Sequence, residues 1–261
     1  MNCQEIAIEV RDGVATVTLN RPETRNALTR RLVGELLAAI PELDTEKGVR
    51  AIVLTGADPA FCAGGDIGEF SETLQKSAPE LYQEARWSTP LFELGAKVRT
   101  PLIAAVNGSA LGGGCGLAAM CHLAVASERA KFGLTELKLG LAPFVILPWI
   151  RRAVGDRNAL RMMLVADVFS AQAAKDLGLV HAVVAHDELL PEAHRLAAQI
   201  ASYSPLAVRL GLDSFYNTEN LGLPESLAYL SALRIVSFLS EDLREGATAF
   251  LEKRKPEWEG R

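Results

Sequence analysis

Residues 100–127 form a long stretch without Asp, Glu, Lys or Arg, and this stretch constrains the fold more than any other feature of the sequence. Its length alone would permit a membrane span. However, Pro101, Asn107, Ser109 and His122 interrupt it, as do five glycines. The first half, PLIAAV, reads as a buried strand, and the second half, which follows the glycine run ALGGGCG, reads as a buried helix. The sequence therefore predicts a core strand, a glycine-rich loop and a core helix, with no membrane association.

Strand and helix patterns alternate along most of the chain, which is typical of an α/β fold with parallel strands. The segments EIAIEV and VATVTL flank Asp12-Gly13, a dipeptide that favours a hairpin turn. An amphipathic helix is predicted from Thr29, a residue type preferred at the N-cap. The segment AIVLTG is uniformly apolar, so it predicts a strand that is covered on both faces.

The order strand, loop, helix then recurs. AIVLTG leads to a helix near residues 66–74, and PLIAAVNG leads to a helix over about 113–120. The strand LVHAVV follows the helix SAQAAKDLG, in which Gly178 suits a C-terminal cap. From about Leu189 only helical patterns remain. We therefore expect a core over residues 1–195 and an all-helical region over 196–261, with the charged tail EKRKPEWEGR as a solvated end.

Composition excludes several classes of function. The net charge of −5 and the scattered basic residues provide no positive stripe for nucleic-acid phosphates. The four cysteines lack CxxC spacing, and no cluster of His, Cys and acidic residues has the spacing of metal ligands. The first residues lack the pattern of a signal peptide. We therefore expect a cytoplasmic protein with free thiols, no metal and no nucleic-acid partner.

Two glycine-rich loops follow apolar strands and enter helices. They are GADPAFCAGGDI, at 56–67, and NGSALGGGCG, at 107–116. Each could place free backbone N–H groups and a positive helix end at one edge of the sheet, as a receptor for an anion or an oxyanion. Glycines also allow tight packing and turns, so this structural explanation stays open for either loop. Neither loop has the pattern of a phosphate loop or a dinucleotide site.

Both loops together match a known pattern. The chain resembles the enoyl-CoA hydratase/isomerase family, also called the crotonase family, from NRPETRNAL to AFLEKRKPEW, most specifically in AFCAGGDI, PLIAAVNGSALGGGCGLAAMC and KFGLTELKLGLAP. The resemblance implies an α/β spiral of ββα units with a helical C-terminal region that packs against neighbouring subunits in trimers or dimers of trimers. It also implies an acyl-CoA thioester substrate, so coenzyme A enters as part of the substrate and no further cofactor is expected.

The resemblance also implies roles for individual residues. The N–H groups of Gly65 and Gly113 correspond to those that bind the thioester oxygen and stabilise an enolate, and Glu136 corresponds to one of two catalytic glutamates. The other glutamate would stand at position 116, where this sequence has glycine. The further residues expected to bind substrate are Arg25, Ala27, Leu28, Ala63, Gly64, Asp66, Gly112 and Gly116.

A single glutamate leaves the reaction open. Hydration of a 2-enoyl thioester needs a base for water and an acid for C2, and one carboxylate can do both. Isomerisation of a 3-enoyl to a 2-enoyl thioester needs only one carboxylate. The segment GLAPFVILPWIRRAVGDR resembles hydratases of branched glutaconyl-CoA substrates, for which Arg151, Arg152 or another basic residue near the acyl end could bind a second carboxylate. We favour a hydratase, with an isomerase or a non-catalytic acyl-CoA binding protein as the alternatives.

Four other polar or reactive residues near these motifs have structural explanations. Asp66 can cap the helix that it precedes, although it is also a substrate-binding candidate. His122 is expected to be a packed, hydrogen-bonded histidine. Cys62 and Cys115 lie beside the proposed N–H donors but lack an activating base, so they are expected to be small buried residues.

Overall fold

Within residues 3–261, which the computed structural model describes, ten strands form two sheets. The larger sheet has the order β1-β2-β3-β5-β7-β10, in which only β1 is antiparallel to its neighbour. The smaller sheet has the order β4-β6-β8-β9. The strands are β1 (Ile6–Arg11), β2 (Val14–Leu19), β3 (Ala51–Gly56), β4 (Ala60–Cys62), β5 (Leu102–Val106), β6 (Ser109–Leu111), β7 (Leu123–Ser127), β8 (Lys131–Gly133), β9 (Phe169–Ser170) and β10 (Ala182–Val184).

Eleven α-helices lie in the same residues. Three of them, α3, α4 and α6, have no counterpart in the sequence analysis, and α6 bends at Gly155, where φ is 74°. The helices are α1 (Arg30–Thr45), α2 (Ile67–Thr73), α3 (Ala78–Ser88), α4 (Leu94–Lys97), α5 (Gly113–Met120), α6 (Leu147–Val165), α7 (Ala171–Asp176), α8 (Leu189–Ala201), α9 (Pro205–Asn217), α10 (Leu223–Phe238) and α11 (Glu241–Glu252).

The order of the elements confirms the spiral of ββα units. Each of β3, β5 and β7 lies in the larger sheet, and the strand that follows it, β4, β6 or β8, lies in the smaller one. Helices then follow β4 and β6 directly. The sequence did not reveal β4 and β6, the second strands of the first two units. Each is only three residues long and lies inside a glycine-rich loop. These short strands place both loops side by side.

The larger sheet is covered on both faces. One face packs against α8, with Leu189, Ala193 and Ala197 on Val53 and Ile103. The other face packs against α1, α5 and the smaller sheet in the main hydrophobic core. Every residue of β3 is buried, which confirms the prediction for AIVLTG. None of the helices in residues 3–261 is both long and apolar enough to cross a membrane.

Local sequence signals set several boundaries as predicted. Asp12 and Gly13 both have positive φ in the turn between β1 and β2. The Thr29 hydroxyl accepts a hydrogen bond from the N–H of Leu32 at 3.1 Å and caps α1. Gly178, with φ of 86°, closes α7 and donates its N–H to Lys175 O at 3.0 Å. The predicted helix over 113–120 coincides with α5.

The C-terminal region is helical after β10, as expected. However, α8 runs through residue 195, at which the sequence analysis divides the chain, and it covers the larger sheet. Among the helices after α8, α9 still packs the partly buried Tyr216 against the main core. Of these, α10 has no buried residue in the single chain, although Leu223, Ile235 and Phe238 are among its side chains.

The C-terminal tail is exposed along much of its length, but its end is anchored by the buried side chain of Asp242. The Asp242 carboxylate accepts hydrogen bonds from the N–H groups of Glu259 and Gly260, both at 2.9 Å, and from the Ser204 hydroxyl at 2.6 Å. The indole of Trp258 donates to Ser202 O at 2.7 Å. The tail is therefore part of the folded structure, which the expectation of a solvated end did not include.

We expect Asp242→Ala to lower the free energy of unfolding by about 2–3 kcal/mol, because charge-assisted hydrogen bonds are lost and their donors lose partners. Chemical denaturation measures the change, and tryptophan emission reports whether Trp258 becomes more exposed. The matched control is Glu241→Ala, since the neighbouring Glu241 forms an ion pair with the exposed side chain of Arg244. Equal stabilities of the two variants would contradict the anchoring role.

Candidate active site

The two glycine-rich loops meet through backbone contacts. Strands β4 and β6 are paired, with Cys62 opposite Ala110. A Cβ atom on Gly114 would lie 2.1 Å from Cys62 O, and a Cβ atom on Gly64 would lie 2.8 Å from Leu111 O. Neither position has room for a side chain. Glycine is therefore required here for the close approach of the loops.

The two predicted N–H donors lie at this junction and are unpaired. Among the described residues, neither Gly65 N nor Gly113 N has a hydrogen-bond acceptor, although Leu28 N and Asp66 N, the two donors of the backbone bridge between Leu28 and Gly65, are both paired. Gly65 N lies 3.9 Å from the position that a Cβ atom on Gly113 would take. Because Gly113 is also the first residue of α5, its N–H carries the positive end of the helix. The arrangement is suited to a single oxygen atom with negative charge.

Exposure separates these donors from the glycines around them. Gly65 and Gly113 are partly exposed, whereas Gly64, Gly112 and Gly114 are buried. The ring of Phe70, in the first turn of α2, covers Gly65, since a Cβ atom there would lie 2.6 Å from Phe70 Cζ. Sequence reasoning missed Phe70. Its only signal was its place four residues after Asp66, on the helix that starts at the loop.

The side chain of Glu136 lies against the second loop. A Cβ atom on Gly112 would lie 3.0 Å from Oε1 of Glu136 and 3.4 Å from its Cδ. Oε2 is buried and has no hydrogen-bond partner among the described residues. Burial raises the pKa of this carboxyl above its usual value. A carboxylate whose pKa is raised in this way is suited to accept and return a proton.

The position of the missing glutamate is filled by apolar side chains. Gly116 is buried, and a Cβ atom on it would lie 2.2 Å from Ile146 Cγ2 and 3.1 Å from Phe92 Cε1. The structure therefore provides no room for an acyl group beside Gly116, and its assignment as a substrate-binding residue has no geometric support. Its role in the described structure is close packing.

The segment that contains Arg25, Ala27 and Leu28, which are expected to bind substrate, is held by Asn26, which the sequence analysis missed. Arg25 and Asn26 both have positive φ, at 55° and 56°. The fully buried Asn26 amide donates to Ala57 O at 2.8 Å and Ala60 O at 2.7 Å, and its oxygen accepts from Arg21 N at 2.8 Å. The preference of Asn for positive φ was the available signal.

The neighbours of Asn26 and the first loop are close in space. Ala63 N donates to Arg25 O at 3.0 Å, and Leu28 N donates to Gly64 O at 2.8 Å. Leu28 also contacts the second loop, because a Cβ atom on Gly113 would lie 2.9 Å from its Cδ1. The structure thus brings Arg25, Leu28, Ala63 and Gly64 together, and Ala27 in the same segment is buried. Their binding roles stay predictions.

Asp66 caps a helix, as one of its two interpretations predicts. Its Oδ1 accepts hydrogen bonds from Gly68 N at 2.9 Å and Glu69 N at 3.4 Å at the start of α2. Its Oδ2 accepts from Arg21 Nη1 at 3.2 Å. Both carboxylate oxygens are therefore occupied within the chain.

An open cavity of about 280 Å³ lies between α1, α2 and α3, beside the N–H groups of Gly65 and Gly113, which together are called the receptor below. Leu28, Phe70 and Asp66 line it on the side of the two loops, and Leu81 and Trp87 line it on the side of α3. Since Leu28 touches Gly113 and Phe70 touches Gly65, this cavity adjoins the unpaired N–H groups.

The two arginines proposed for a second substrate carboxylate already hold acidic partners. Arg151 Nε pairs with Asp156 Oδ1 at 2.8 Å on the surface. Arg152 pairs with Glu219, and its guanidinium lies over the Trp149 ring at 4.9 Å from the ring centroid. Each guanidinium group is therefore already paired with an acidic side chain, so the structure does not support a role for either arginine in binding a substrate carboxylate.

The cysteines and the histidine near the glycine helix are structural, as predicted. Burial raises the pKa of the Cys62 and Cys115 thiols to about 12, so both stay protonated. His122 Nδ1 accepts a hydrogen bond from Leu102 N at 2.7 Å, and its Nε2 lies 2.9 Å from Gly95 O. These partners fix the neutral ring with its proton on Nε2, and burial lowers the pKa of His122 to about 4.

His122 should make the protein less stable in mild acid. The unfolded chain binds a proton at this histidine below about pH 6.5, whereas the folded chain binds one only near pH 4. Stability is therefore lost as the pH falls between these values, by about 3 kcal/mol in total. We expect His122→Asn to remove this part of the pH dependence, as measured by urea unfolding at pH 7 and pH 4.

The matched control for His122 is His194→Asn, which changes an exposed histidine on α8. The difference between the unfolding free energies at pH 7 and pH 4 should be smaller in His122→Asn than in the control. The same difference in both variants would exclude His122 as the source.

Comparisons with known proteins agree with this geometry. Residues 9–261 match the family model described as enoyl-CoA hydratase/isomerase. The chain is 36% identical to a crotonyl-CoA hydratase of Syntrophomonas wolfei, over 98% of each chain, and 35% identical to a 2,3-dehydroadipyl-CoA hydratase of Escherichia coli, over 98% of this chain and 99% of the relative. A crystal structure of an enoyl-CoA hydratase from Bacillus anthracis superposes with a TM-score of 0.92 at 32% identity and covers 99% of this chain and 100% of that one.

Proposed function

Because the chain belongs to the enoyl-CoA hydratase/isomerase family, we propose that it is a hydro-lyase that adds water across the C2=C3 double bond of a 2-enoyl-CoA thioester. The observation that carries the proposal is the position of Glu136. Its carboxylate lies against Gly112, the residue before one of two adjacent unpaired N–H groups. Relatives named as hydratases, at 35% and 36% identity over nearly the whole chain, support the same reaction.

In the proposed mechanism, the thioester oxygen accepts hydrogen bonds from Gly65 N–H and Gly113 N–H. Glu136 takes a proton from water while the hydroxide oxygen bonds to C3, and the electron pair of the double bond moves to form an enolate. The two N–H groups stabilise the charge that develops on the oxygen, each by roughly 3 kcal/mol. The protonated Glu136 then gives its proton to C2, so both parts of the water molecule end on the product.

The acyl group of the substrate has a candidate cavity beside the two N–H groups. The cavity beside Leu28 and Phe70 adjoins the receptor, and its apolar side chains are suited to an acyl chain. The names of the two hydratase relatives indicate substrates with and without a second carboxylate. The proposal of a branched glutaconyl-CoA substrate depends on sequence resemblance alone, since Arg151 and Arg152 are both paired.

The absorbance of the conjugated enoyl thioester tests the reaction. Loss of absorbance with crotonyl-CoA or 3-methylglutaconyl-CoA is the expected result, and it identifies a hydratase and the preferred acyl group. A gain of absorbance from a 3-enoyl-CoA would instead identify the isomerase, which also needs only one carboxylate. Binding of acyl-CoA without either change would contradict both and support a binding protein.

The proposal includes a homotrimer or a dimer of trimers. Helix α10 supports it, because none of its residues is buried in the single chain and several are large and apolar. Light scattering on the purified protein measures the assembly, and a monomeric mass would contradict this part of the proposal.

A further inference from the structure

Ile146 lies in the place that a side chain at position 116 would need. We propose that Ile146 determines the number of carboxylates in the active site, so that Gly116 and Ile146 form a matched pair. The inference rests on the proposed function of Glu136 as the proton carrier. It concerns why that glutamate acts alone and which residue would have to change for a second acid to join it.

Distances at Gly116 support the pairing. A Cβ atom on Gly116 would lie 2.2 Å from Ile146 Cγ2 and 2.6 Å from Ile146 Cβ. Real Cβ atoms essentially never have contacts below 3.0 Å, so any residue larger than glycine needs Ile146 to move. Phe92 Cε1, at 3.1 Å, would have to shift by only a few tenths of an ångström. Ile146 is therefore the main obstacle.

Burial prevents an easy escape of the Ile146 side chain. Ile146 is 2% exposed and belongs to the main hydrophobic core, together with Phe92 and Trp149. A carboxylate at position 116 would enter this apolar packing without hydrogen-bond donors, which is unfavourable for a charged group. The single substitution Gly116→Glu is therefore unfavourable for two reasons. Its side chain has no free volume, and its charge has no hydrogen-bond donors.

Position 116 is nevertheless well placed for catalysis. Gly116 N donates to Gly112 O at 3.1 Å, so the two residues lie one helical turn apart at the start of α5. Gly112 contacts the Glu136 carboxylate, and Gly113 N is an unpaired donor. A carboxylate that projects from position 116 would therefore lie on the helix that begins at the receptor. Removal of the Ile146 side chain would open the volume that it needs.

The choice of substitution at position 146 follows from the atoms involved. Ile146→Ala removes Cγ2 but keeps Cβ, which would still lie 2.6 Å from the new Cβ atom. Ile146→Gly removes both atoms. Because Ile146 has a negative φ of −95°, glycine is not needed there for its backbone angles, and the two substitutions differ chiefly in volume.

Thermal unfolding tests the steric part of the proposal, which is that Ile146 excludes a side chain at position 116. Gly116→Ala in the wild-type background should lower the melting temperature by about 5 °C or more. The same substitution should have little effect when Ile146→Gly is present, and should keep most of its effect when Ile146→Ala is present. If Gly116→Ala alone does not fold, the two double variants still provide the comparison. Equal penalties in both backgrounds would overturn the pairing.

Enzyme kinetics test the functional part of the proposal, which is that a carboxylate at position 116 can take part in catalysis once Ile146 is removed. In a Glu136→Gln background, Gly116→Glu with Ile146→Gly should raise kcat/KM for the conjugated enoyl thioester at least ~10-fold over Ile146→Gly alone. The matched control replaces Gly116 by Gln in the same background, which has the same shape without an ionisable group. Only the Glu variant should show a rate that rises with pH through an acidic pKa. Equal rates with Glu and Gln would reduce Ile146 to a packing residue and overturn the proposal.

Failure of the proposed function would be distinct from failure of this inference. If the wild-type protein hydrates no enoyl thioester, the proposed function fails, while the melting temperatures still test the steric pairing. If the wild type is active and the melting temperatures show no dependence on residue 146, the inference alone fails.

Discussion

Glu136→Gln is expected to lower kcat for hydration of the conjugated enoyl thioester by about 10³-fold, because general acid and base catalysis by one group contributes on this scale. The amide keeps the shape of the side chain but can neither take a proton from water nor return one to C2. The Michaelis constant should change little, since the two N–H groups and the acyl cavity do not involve this carboxylate. Absorbance assays at several substrate concentrations separate the two parameters.

The pH profile provides a second reading of the same residue. Hydration needs ionised Glu136, and burial raises the pKa of its carboxyl, so kcat/KM should fall with decreasing pH from a point above the ordinary range of a glutamate. The control is Glu128→Gln, which changes an exposed glutamate after β7 and should leave the rate unaltered. A loss of less than about tenfold in Glu136→Gln would exclude Glu136 as the sole proton carrier.

Gly114→Ala should have the largest effect on stability, about 4 kcal/mol of the free energy of unfolding or a failure to fold. Its new Cβ atom would lie 2.1 Å from Cys62 O and 2.8 Å from both Cys62 C and Cys62 Cβ. Two of these atoms belong to the backbone of β4, which pairs with β6 and cannot rotate away as a side chain can. Urea unfolding of the purified variant measures the loss.

The matched control for Gly114→Ala is Gly211→Ala in α9. A Cβ atom on Gly211 would meet nothing within 4 Å. Alanine also favours a helix by about 1 kcal/mol over glycine, so the control should be as stable as the wild type or slightly more stable. A loss below about 1 kcal/mol in Gly114→Ala would show that the two loops can separate at little cost, contrary to the packing argument.

The elements that could be predicted from the sequence are those set by local signals. Helix α5, the cap at Thr29 and the turn at Asp12 each depend on neighbouring residues, and strand β3 reveals its burial by uniform apolar composition. Strands β4 and β6 could not be recognised within their loops. They pair with each other across about fifty residues of sequence, and each is too short to show an alternating pattern. The extension of the core past residue 195 in α8 also depends on contacts with the sheet.

The residues of the candidate site likewise divide into those that the sequence identified and those that only the structure revealed. Resemblance to the family identified Gly65, Gly113 and Glu136, and the structure supports these roles by the unpaired N–H groups and the buried carboxylate. The contact of Gly116 with Ile146 joins residues thirty positions apart, so the sequence showed an acid missing but not what had taken its place. The hydrogen bonds of Asn26 to Ala57 and Ala60 were hidden for the same reason.

The close approach of Gly114 to Cys62 and of Gly64 to Leu111 is a contact between main chains. The spacing of the two N–H groups is therefore independent of the side chains that surround the substrate. Such a scaffold can change its proposed proton carrier or acyl cavity by point substitutions and still keep the two N–H groups that we propose bind the thioester oxygen. New reactions on enolate intermediates can then evolve in steps, because the part of the site that is hardest to rebuild is inherited with the backbone.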